Sequence, residues 1–377
     1  MIKKVLPFVL VTITFLSVRA QSSSTRIDSP FFYEASYTGD YVSNISGGIK
    51  TGATYLGLAN LEMGFNTQKA NWWRNGLFFI NVGNTHGGMP SAKLIGDFQG
   101  VSNIEAGDMT FMYELWFKQI FNKITMTAGL QDLNVDFATS QYGALFNNSS
   151  FGIHSSIAHN ISSPIFPLTA LGLSLQWNIS PSLIWEAAIF DGTPDNLKVN
   201  PYNVHWKLSK NDGFLAITEL QFSHNFMINH AGTYKLGAYY QQHNDSVGAF
   251  HNDYGLYAVI DQPIMHTSHK GLIALFSQLG ISPRQKNSNN AYCSLGLHYQ
   301  APFANRPNDE AGIAVAYAGI HDNNSIGGET TLELAYHFQL NQNIYLKPDI
   351  QYIINPAGTD AKLPNALVGT LRLGIAF

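Results

Sequence analysis

Apolar and polar residues alternate with a period of two along most of this chain. Between residues 366 and 377 the odd positions are apolar or small, such as Leu371 and Ile375, whereas the even positions include Thr370 and Arg372. The same division recurs at residues 124–132, 233–241, 331–339 and 344–352. A strand turns successive side chains to opposite faces, so this period predicts β-strands with one apolar and one polar face.

Sixteen segments show the strand pattern, predicted at residues 41–50, 55–65, 76–86, 109–119, 124–132, 170–178, 182–191, 214–225, 233–242, 254–262, 271–279, 291–300, 311–320, 331–339, 344–352 and 366–377. Most are nine to twelve residues long. A tilted strand needs about 9–11 residues to cross a bilayer, whereas strands of soluble proteins usually have about five or six. The lengths therefore favour membrane-spanning strands.

The connections between these segments alternate in length. Long connections follow the third, fifth and seventh strands, at residues 87–108, 133–169 and 192–213. Tight connections follow the fourth, sixth and fourteenth strands, at residues 120–123, 179–181 and 340–343. Long outer loops and short periplasmic turns are typical of outer-membrane barrels. The sequence thus predicts an all-β fold, a transmembrane antiparallel β-barrel of about 16 strands. Its terminal aromatic, Phe377, suits the interfacial girdle and recognition of the last strand by the barrel assembly machinery.

Composition excludes several other classes. Charged residues make up 12% of the 377, against about 25% in average soluble domains. The longest apolar run, residues 5–18, is shorter than the roughly 18 residues that a spanning helix needs. A net charge of −4 gives no basic patch for nucleic acid. A soluble exported β-sandwich is the alternative, but the polar faces carry Glu, Lys, Asp, Gln and Arg, which suits a wet lumen better than a packed core.

Residues 1–20 have the pattern of a secretory signal peptide. Lys3 and Lys4 precede the apolar run, and Val18 and Ala20 place small residues at the −3 and −1 positions of a cleavage site. We expect residues 21–377 to form a single barrel. The alternative is a retained anchor or an N-terminal strand.

Several segments are similar to one family of channels. They include GGIKTGATYLG at residues 47–57, LIGDFQGVSNIEA at 94–106, YELW at 113–116, FNNSSFG at 146–152, FDG at 190–192, GTYKLGA at 232–238, QYIINP at 351–356, and residues 365–377. In this order, from about residue 36 onward, the chain resembles the carbohydrate-selective porins of the OprB family. The resemblance implies a sixteen-stranded outer-membrane barrel, with an eyelet narrowed by inward-folded outer loops, through which sugars diffuse passively. It also implies that the third outer loop, 133–169, is the constriction, with loop 87–108 as the alternative.

Candidate sugar contacts follow from strand parity. Neutral sugars need paired donors and acceptors, and aromatic faces for their apolar ring faces. We expect the pore to be lined by Asn81, Thr85, His86, Glu105, Glu114, Trp116, Lys118, Asp132, Lys347 and Arg372. Trp116 is the expected stacking platform. The inward set on later strands includes Glu186, Glu219, Lys235, Asp261 and Glu333.

Two features qualify this set of residues. Family members often have Arg in the segment equivalent to residues 84–87, where this chain has Thr85 and His86. Each residue could instead only tune conductance or pair across the wall, and a register error of one residue would reverse every face.

The expected function is passive, substrate-selective diffusion of neutral sugars, without enzymatic activity, cofactor or metal. No Gly-x-Ser-x-Gly or His-Glu-x-x-His motif occurs. A plugged structural or adhesive barrel with partner-binding outer loops is the alternative. Active transporters are larger, with 22 strands.

The sequence leaves open the identity of the sugar, the choice between monomer and homotrimer, and Ca²⁺ binding near residues 243–245 and 251–253. The low net charge predicts weak ion selectivity unless the local field at the eyelet overrides it.

Overall fold

Sixteen antiparallel strands close into one barrel, each hydrogen-bonded to its neighbours in chain order, with β1 and β16 completing the ring. The computed structural model describes residues 29–227, 230–244, 249–268, 270–322, 325–358 and 363–377, so the predicted signal peptide 1–20 lies outside the described residues. The strands β1 to β16 are Phe31–Ser46, Gly52–Asn66, Gly76–Gly87, Met109–Phe121, Ile124–Gln131, Ala170–Ser180, Leu183–Asp191, Phe214–Met227, His230–Asn244, Phe250–His266, Leu272–Ile281, Asn289–Gln300, Glu310–Asp322, Ser325–Gln339, Ile344–Ile354 and Ala366–Ala376. The predicted fold class and strand number are confirmed.

The first strand begins earlier than predicted. The predicted segment was 41–50, whereas β1 spans Phe31–Ser46. Gly39 and Asp40 are residue types common in turns, but both lie inside this strand. Gly39 leaves room for the Tyr55 ring of β2, and Asp40 pairs with Arg372 of β16. Residues 39 and 40, which resemble a turn in the sequence, therefore lie within the strand that closes the barrel.

The two faces of the wall differ in chemistry. Large apolar side chains project outward, as Leu236, Ile313 and Leu334 show with exposed fractions of 62%, 54% and 55%. Charged side chains project inward and are buried there. The hydrocarbon core of a membrane supplies no hydrogen bonds, so a spanning wall requires this division.

A β-bulge overturns part of the predicted parity in β4. The pairing of β3 with β4 shifts between Asn81 and Val82, which gives β4 one extra residue there. Alternation counted back from Leu115 and Phe117 predicts that Phe111 faces lipid, but Phe111 is 1% exposed and packs inside against Phe166 and Tyr113. That prediction is wrong because a bulge reverses the alternation that precedes it.

Two outer loops fold into the barrel. We call residues 88–108 the second outer loop and residues 132–169 the third outer loop. Leu133, Phe137 and Ile157 of the third outer loop pack on the inner wall in one buried apolar cluster, and Phe146 and Phe151 pack in another. The second outer loop packs its own apolar cluster against the inner wall. Only short helical turns occur in them, and within the described ranges no helix is long and apolar enough to span a membrane.

The outer face can be tested at Leu236, near the middle of β9. Replacing it by Arg should lower the free energy of unfolding in lipid vesicles by about 2–4 kcal/mol, because a charge would face hydrocarbon. Leu236→Met, which keeps the position apolar, is the control. Denaturant titration measures both, and an arginine variant as stable as the methionine variant would contradict the assignment of this face to lipid.

Candidate functional site: the lumen narrowed by two inward loops

Carboxylates on the inner wall hold the backbone of the third outer loop. Glu333 accepts hydrogen bonds from the amides of Asn147 and Asn148, at 2.5 and 3.0 Å. Glu219 accepts one from the amide of Ala138 at 2.9 Å. Asp261 accepts three, from the Ser140 hydroxyl at 2.6 Å and from the amides of residues 141 and 142 at 3.0 and 3.3 Å. These three carboxylates are 1–4% exposed.

The loop needs these acceptors because it leaves the sheet. A loop inside a barrel makes few ladder hydrogen bonds, and a buried amide without a partner destabilises the fold. A carboxylate provides a charge-assisted acceptor, which is stronger than a neutral one. The carboxylates of the inner face therefore hold the third outer loop in place.

Donors from the wall hold the loop carbonyls in turn. The Lys347 ammonium donates to the carbonyl of Leu145 at 2.8 Å. Wall tyrosines and a glutamine donate to other carbonyls of the loop over 2.7–3.1 Å, namely Tyr292 to Ser150, Tyr239 to Ser156 and Gln278 to Phe151. The third outer loop thus follows the inner wall from β8 to β15.

The second outer loop is attached at the seam of the barrel. Arg372 of β16 makes a bidentate pair with Asp40 of β1, with both N–O distances at 2.7 Å. The same guanidinium donates to Asn103 at 2.8 Å, and Ser102 donates to Asp40 at 2.7 Å. Glu329 of β14 accepts the amides of residues 98 and 99. Further on, the Asn103 amide donates to the carbonyl of residue 147 at 2.9 Å, so the two inward loops support each other.

Three carboxyl groups in these loops have raised pKa values. Burial raises the pKa of Asp97 to about 6. Burial also raises the pKa of Asp132 to about 6; its carboxylate accepts hydrogen bonds from Tyr113 and from the amide of Asn134. Glu105 accepts the amide of Ser91 at 3.1 Å, and burial raises its pKa.

Along one arc of the wall, from β3 to β7, no described carboxylate accepts a hydrogen bond from the backbone of an inward loop, and we call this part of the wall the open arc. Trp116 of β4 stacks on Phe79 of β3, with ring centroids 4.7 Å apart. Its indole N–H donates to Glu114 at 3.0 Å, and the Lys118 ammonium lies 4.9 Å from the ring centroid. Asn81 faces the same arc, paired in register with Glu114.

A small cavity continues this arc toward β7. Apart from Phe137 and Leu175, its lining is polar or charged: Lys118, Thr125, Thr127, Asp136, Ser174, Gln176 and Glu186. Asp136 and Phe137 come from the start of the third outer loop, and the other residues come from the wall. The loop and the wall thus face each other across a polar gap.

The predicted pore residues fall into three groups in the structure. Those on the open arc are Asn81, Thr85, Glu114, Trp116 and Lys118. Those that hold or build the inward loops are Glu105, Asp132, Lys347 and Arg372. His86 forms the third group alone, because it bonds to Tyr37 and lies near Tyr55 on the outer face. Its prediction as a pore-lining residue is wrong, since strand parity turns it opposite to Thr85.

The predicted list of sugar contacts omits three residues that line this arc and its cavity: Phe79, Asp136 and Glu186. Strand parity already turned Phe79 and Glu186 inward, so that signal was present. For Asp136 no period applies, because it lies in a helical turn of the loop.

Metal-binding geometry is not found in the described part of the chain, where no three His, Cys, Asp or Glu side chains come together as ligands. His243 and His251, near the segments considered for Ca²⁺, stack with ring centroids 5.5 Å apart. Residue 245 lies outside the described residues.

A closed barrel with an apolar outer face, a polar lumen and inward-folded outer loops has the architecture of an outer-membrane porin. Comparison with known proteins specifies the family. The sequence model of the carbohydrate-selective porins, OprB family, matches residues 50–377. The chain belongs to this family.

Individual relatives are more distant. Porin B of Pseudomonas aeruginosa is 24% identical, over 93% of this chain and 88% of that protein. The putative porin QuiX of Acinetobacter baylyi is 23% identical, over 92% of this chain and 89% of that protein. The high-pH structure of Pseudomonas putida OprB superposes with a TM-score of 0.83 at 22% identity, covering 93% of this chain and 95% of that one. The chain is therefore a barrel of the bacterial outer membrane that belongs to a family of carbohydrate porins.

Loop anchoring can be tested at Glu333. In Glu333→Gln one carboxylate oxygen becomes an amide nitrogen that cannot accept, so a buried loop amide loses its partner at a cost of about 1–3 kcal/mol. We expect the third outer loop to be cleaved faster by protease in the folded barrel, and single-channel conductance to rise. Asp195→Asn, at an exposed position of an outer loop, is the matched control. Unchanged cleavage and conductance in the Gln variant would show that this anchor does not hold the loop.

The raised pKa of Asp97 predicts an unusual pH dependence. Its carboxyl protonates near pH 6 in the folded protein and near pH 4 in the unfolded chain, so the folded form binds more protons between these values. Stability should therefore fall as pH rises through this window. Asp97→Asn should match wild type near pH 4 and be more stable by about 3 kcal/mol at pH 8. Urea unfolding at both pH values checks this, and a variant that is less stable at pH 8 would contradict it.

Proposed function

We propose that neutral mono- and small oligosaccharides diffuse passively through a narrow passage between the third outer loop and the wall from β3 to β7. The observation that carries this proposal is the rigid aromatic pair of Trp116 and Phe79 beside Glu114. The family description, carbohydrate-selective porin, supports the substrate class.

The pair suits a sugar for chemical reasons. A pyranose ring has an apolar face of C–H groups, which packs on a flat aromatic surface, and an edge of hydroxyls, which needs acceptors and donors. Trp116 supplies the surface. Glu114 and the Thr125 and Thr127 hydroxyls supply polar partners along the same arc. A few well-placed polar groups on a largely preformed surface are the usual basis of small-molecule specificity.

The passage is fixed by the wall. Both rings of the aromatic pair stand on hydrogen-bonded strands, and the facing loop is held by wall carboxylates. Because little side-chain ordering is needed on binding, weak reversible contacts can select a solute without holding it. Such contacts fit transport that follows the concentration gradient.

A plugged barrel is the second candidate, because many inward side chains are buried under the two loops. Arg372 and Lys347 are 4% and 5% exposed. In that case the outer loops would bind partners and the lumen would conduct no ions.

The sugar contact can be tested with Trp116→Ala. Loss of the aromatic surface should weaken the block of ion current by neutral sugar about tenfold, since ring stacking contributes roughly 0.5–1.5 kcal/mol beyond buried area. Trp72→Ala is the control, because Trp72 is 64% exposed in the turn between β2 and β3, outside the lumen. Titration of glucose and maltose against single-channel current gives both affinities. Equal block in both variants would overturn the role of Trp116.

A further inference from the structure

Three carboxylates along the proposed passage have no ion-pair partner among the described residues. Within the part of the chain that the structure describes, no Lys, Arg or His nitrogen lies within 4.0 Å of the carboxylates of Glu114, Asp136 or Glu186. Glu114 and Glu186 are 8% and 3% exposed. Asp136 and Glu186 line the same cavity. The carboxylates that hold loop amides are separate from these three.

The lumenal cations are used elsewhere. Arg372 pairs with Asp40, and Lys347 bonds to a loop carbonyl. Lys235 is held by Glu219 at 3.8 Å and by Thr139 at 2.7 Å. Among the described residues of the open arc, Lys118 is the remaining cation, and it faces three carboxyl groups.

A second, independent feature points to a missing hydrogen-bond donor. Asn81 is 5% exposed on the lumenal face of β3, and its side-chain oxygen has no partner in the described structure. Its register neighbours on the two adjacent strands are Glu62 and Glu114. An amide oxygen between two carboxylates is an acceptor for a ligand that carries several N–H or O–H donors.

The site already accommodates one ammonium group. The Lys118 ammonium lies 4.9 Å from the Trp116 ring centroid, on the arc that Glu114 shares. Ammonium groups are attracted to the face of an indole ring, and more strongly where water is excluded. Trp116 therefore presents an aromatic face flanked by carboxylates, which is the arrangement that a cationic ligand needs.

We propose that this passage prefers sugars that carry a protonated amine, such as hexosamines, over neutral sugars and excludes sugar acids. The proposal rests on the proposed function, because it names the substrate class of the same passage. A channel lined by one sign of charge raises the local concentration of the opposite charge by a factor of about 10–10³. The preference should weaken as salt screens the field.

The test compares three sugars of one ring size in vesicles that contain the purified protein at low salt. D-glucosamine at pH 6 carries an ammonium, D-glucose is neutral and D-glucuronate is anionic. We expect glucosamine to enter about tenfold faster than glucose, and glucuronate more slowly than glucose. The triple variant Glu114→Gln, Asp136→Asn and Glu186→Gln should bring the ratio of the glucosamine rate to the glucose rate close to one, whatever its absolute glucose rate. Asp195→Asn, which removes an exposed charge outside the lumen, should leave the wild-type order unchanged.

The outcomes separate the inference from the function beneath it. If glucose and glucosamine enter wild-type vesicles at equal rates, or if the triple variant keeps the preference, the inference is wrong and the sugar channel stands. If none of the three enters faster than into empty vesicles, the proposed function itself fails. If the triple variant does not fold, the three single variants are tested in the same way. The zero-current potential of the wild-type protein in a KCl gradient then gives its ion selectivity. A wild-type channel that is not cation-selective would overturn the inference.

Discussion

The hydrogen bond between a wall carboxylate and a loop amide is the interaction on which the interior depends. A loop that enters a barrel brings backbone amides away from water, and each needs an acceptor. Glu219, Asp261 and Glu333 supply acceptors from three well-separated strands. Without them these loop amides would be buried without partners, and the third outer loop would be held to the wall less firmly. The inner charges of this porin thus hold the loops on one arc of the wall, and on the other arc we propose that they face the solute.

The membrane determines the remaining architecture. Because lipid accepts no hydrogen bonds, the strands close into a ring and turn apolar side chains outward. Closure takes place at the pair of Asp40 and Arg372, which also carries Ser102 and Asn103 of the second outer loop. The Arg372 guanidinium therefore helps both to close the barrel and to position the second outer loop. This links the strand pairing of the fold to the shape of the passage.

The fold could be predicted from sequence because lipid and lumen impose a strict period of two. That period predicted the inward position of Glu114, Trp116 and Arg372. It failed at Phe111, where a bulge adds one residue, and it was misapplied at His86, which lies opposite to Thr85. Loop contacts have no period, so the carboxylate acceptors could be placed inward from sequence without their backbone partners. The family resemblance implied an inward third loop, but the residues that hold it required the structure.

Single-channel recording of the wild-type protein in a planar bilayer, with a neutral sugar titrated into the bath, tests the account most directly. The arrangement of anchored loops and an open aromatic arc predicts steady open channels whose current falls saturably as sugar is added. A steady current that no sugar reduces would contradict the binding arc. A barrel that carries no current would contradict the passage itself.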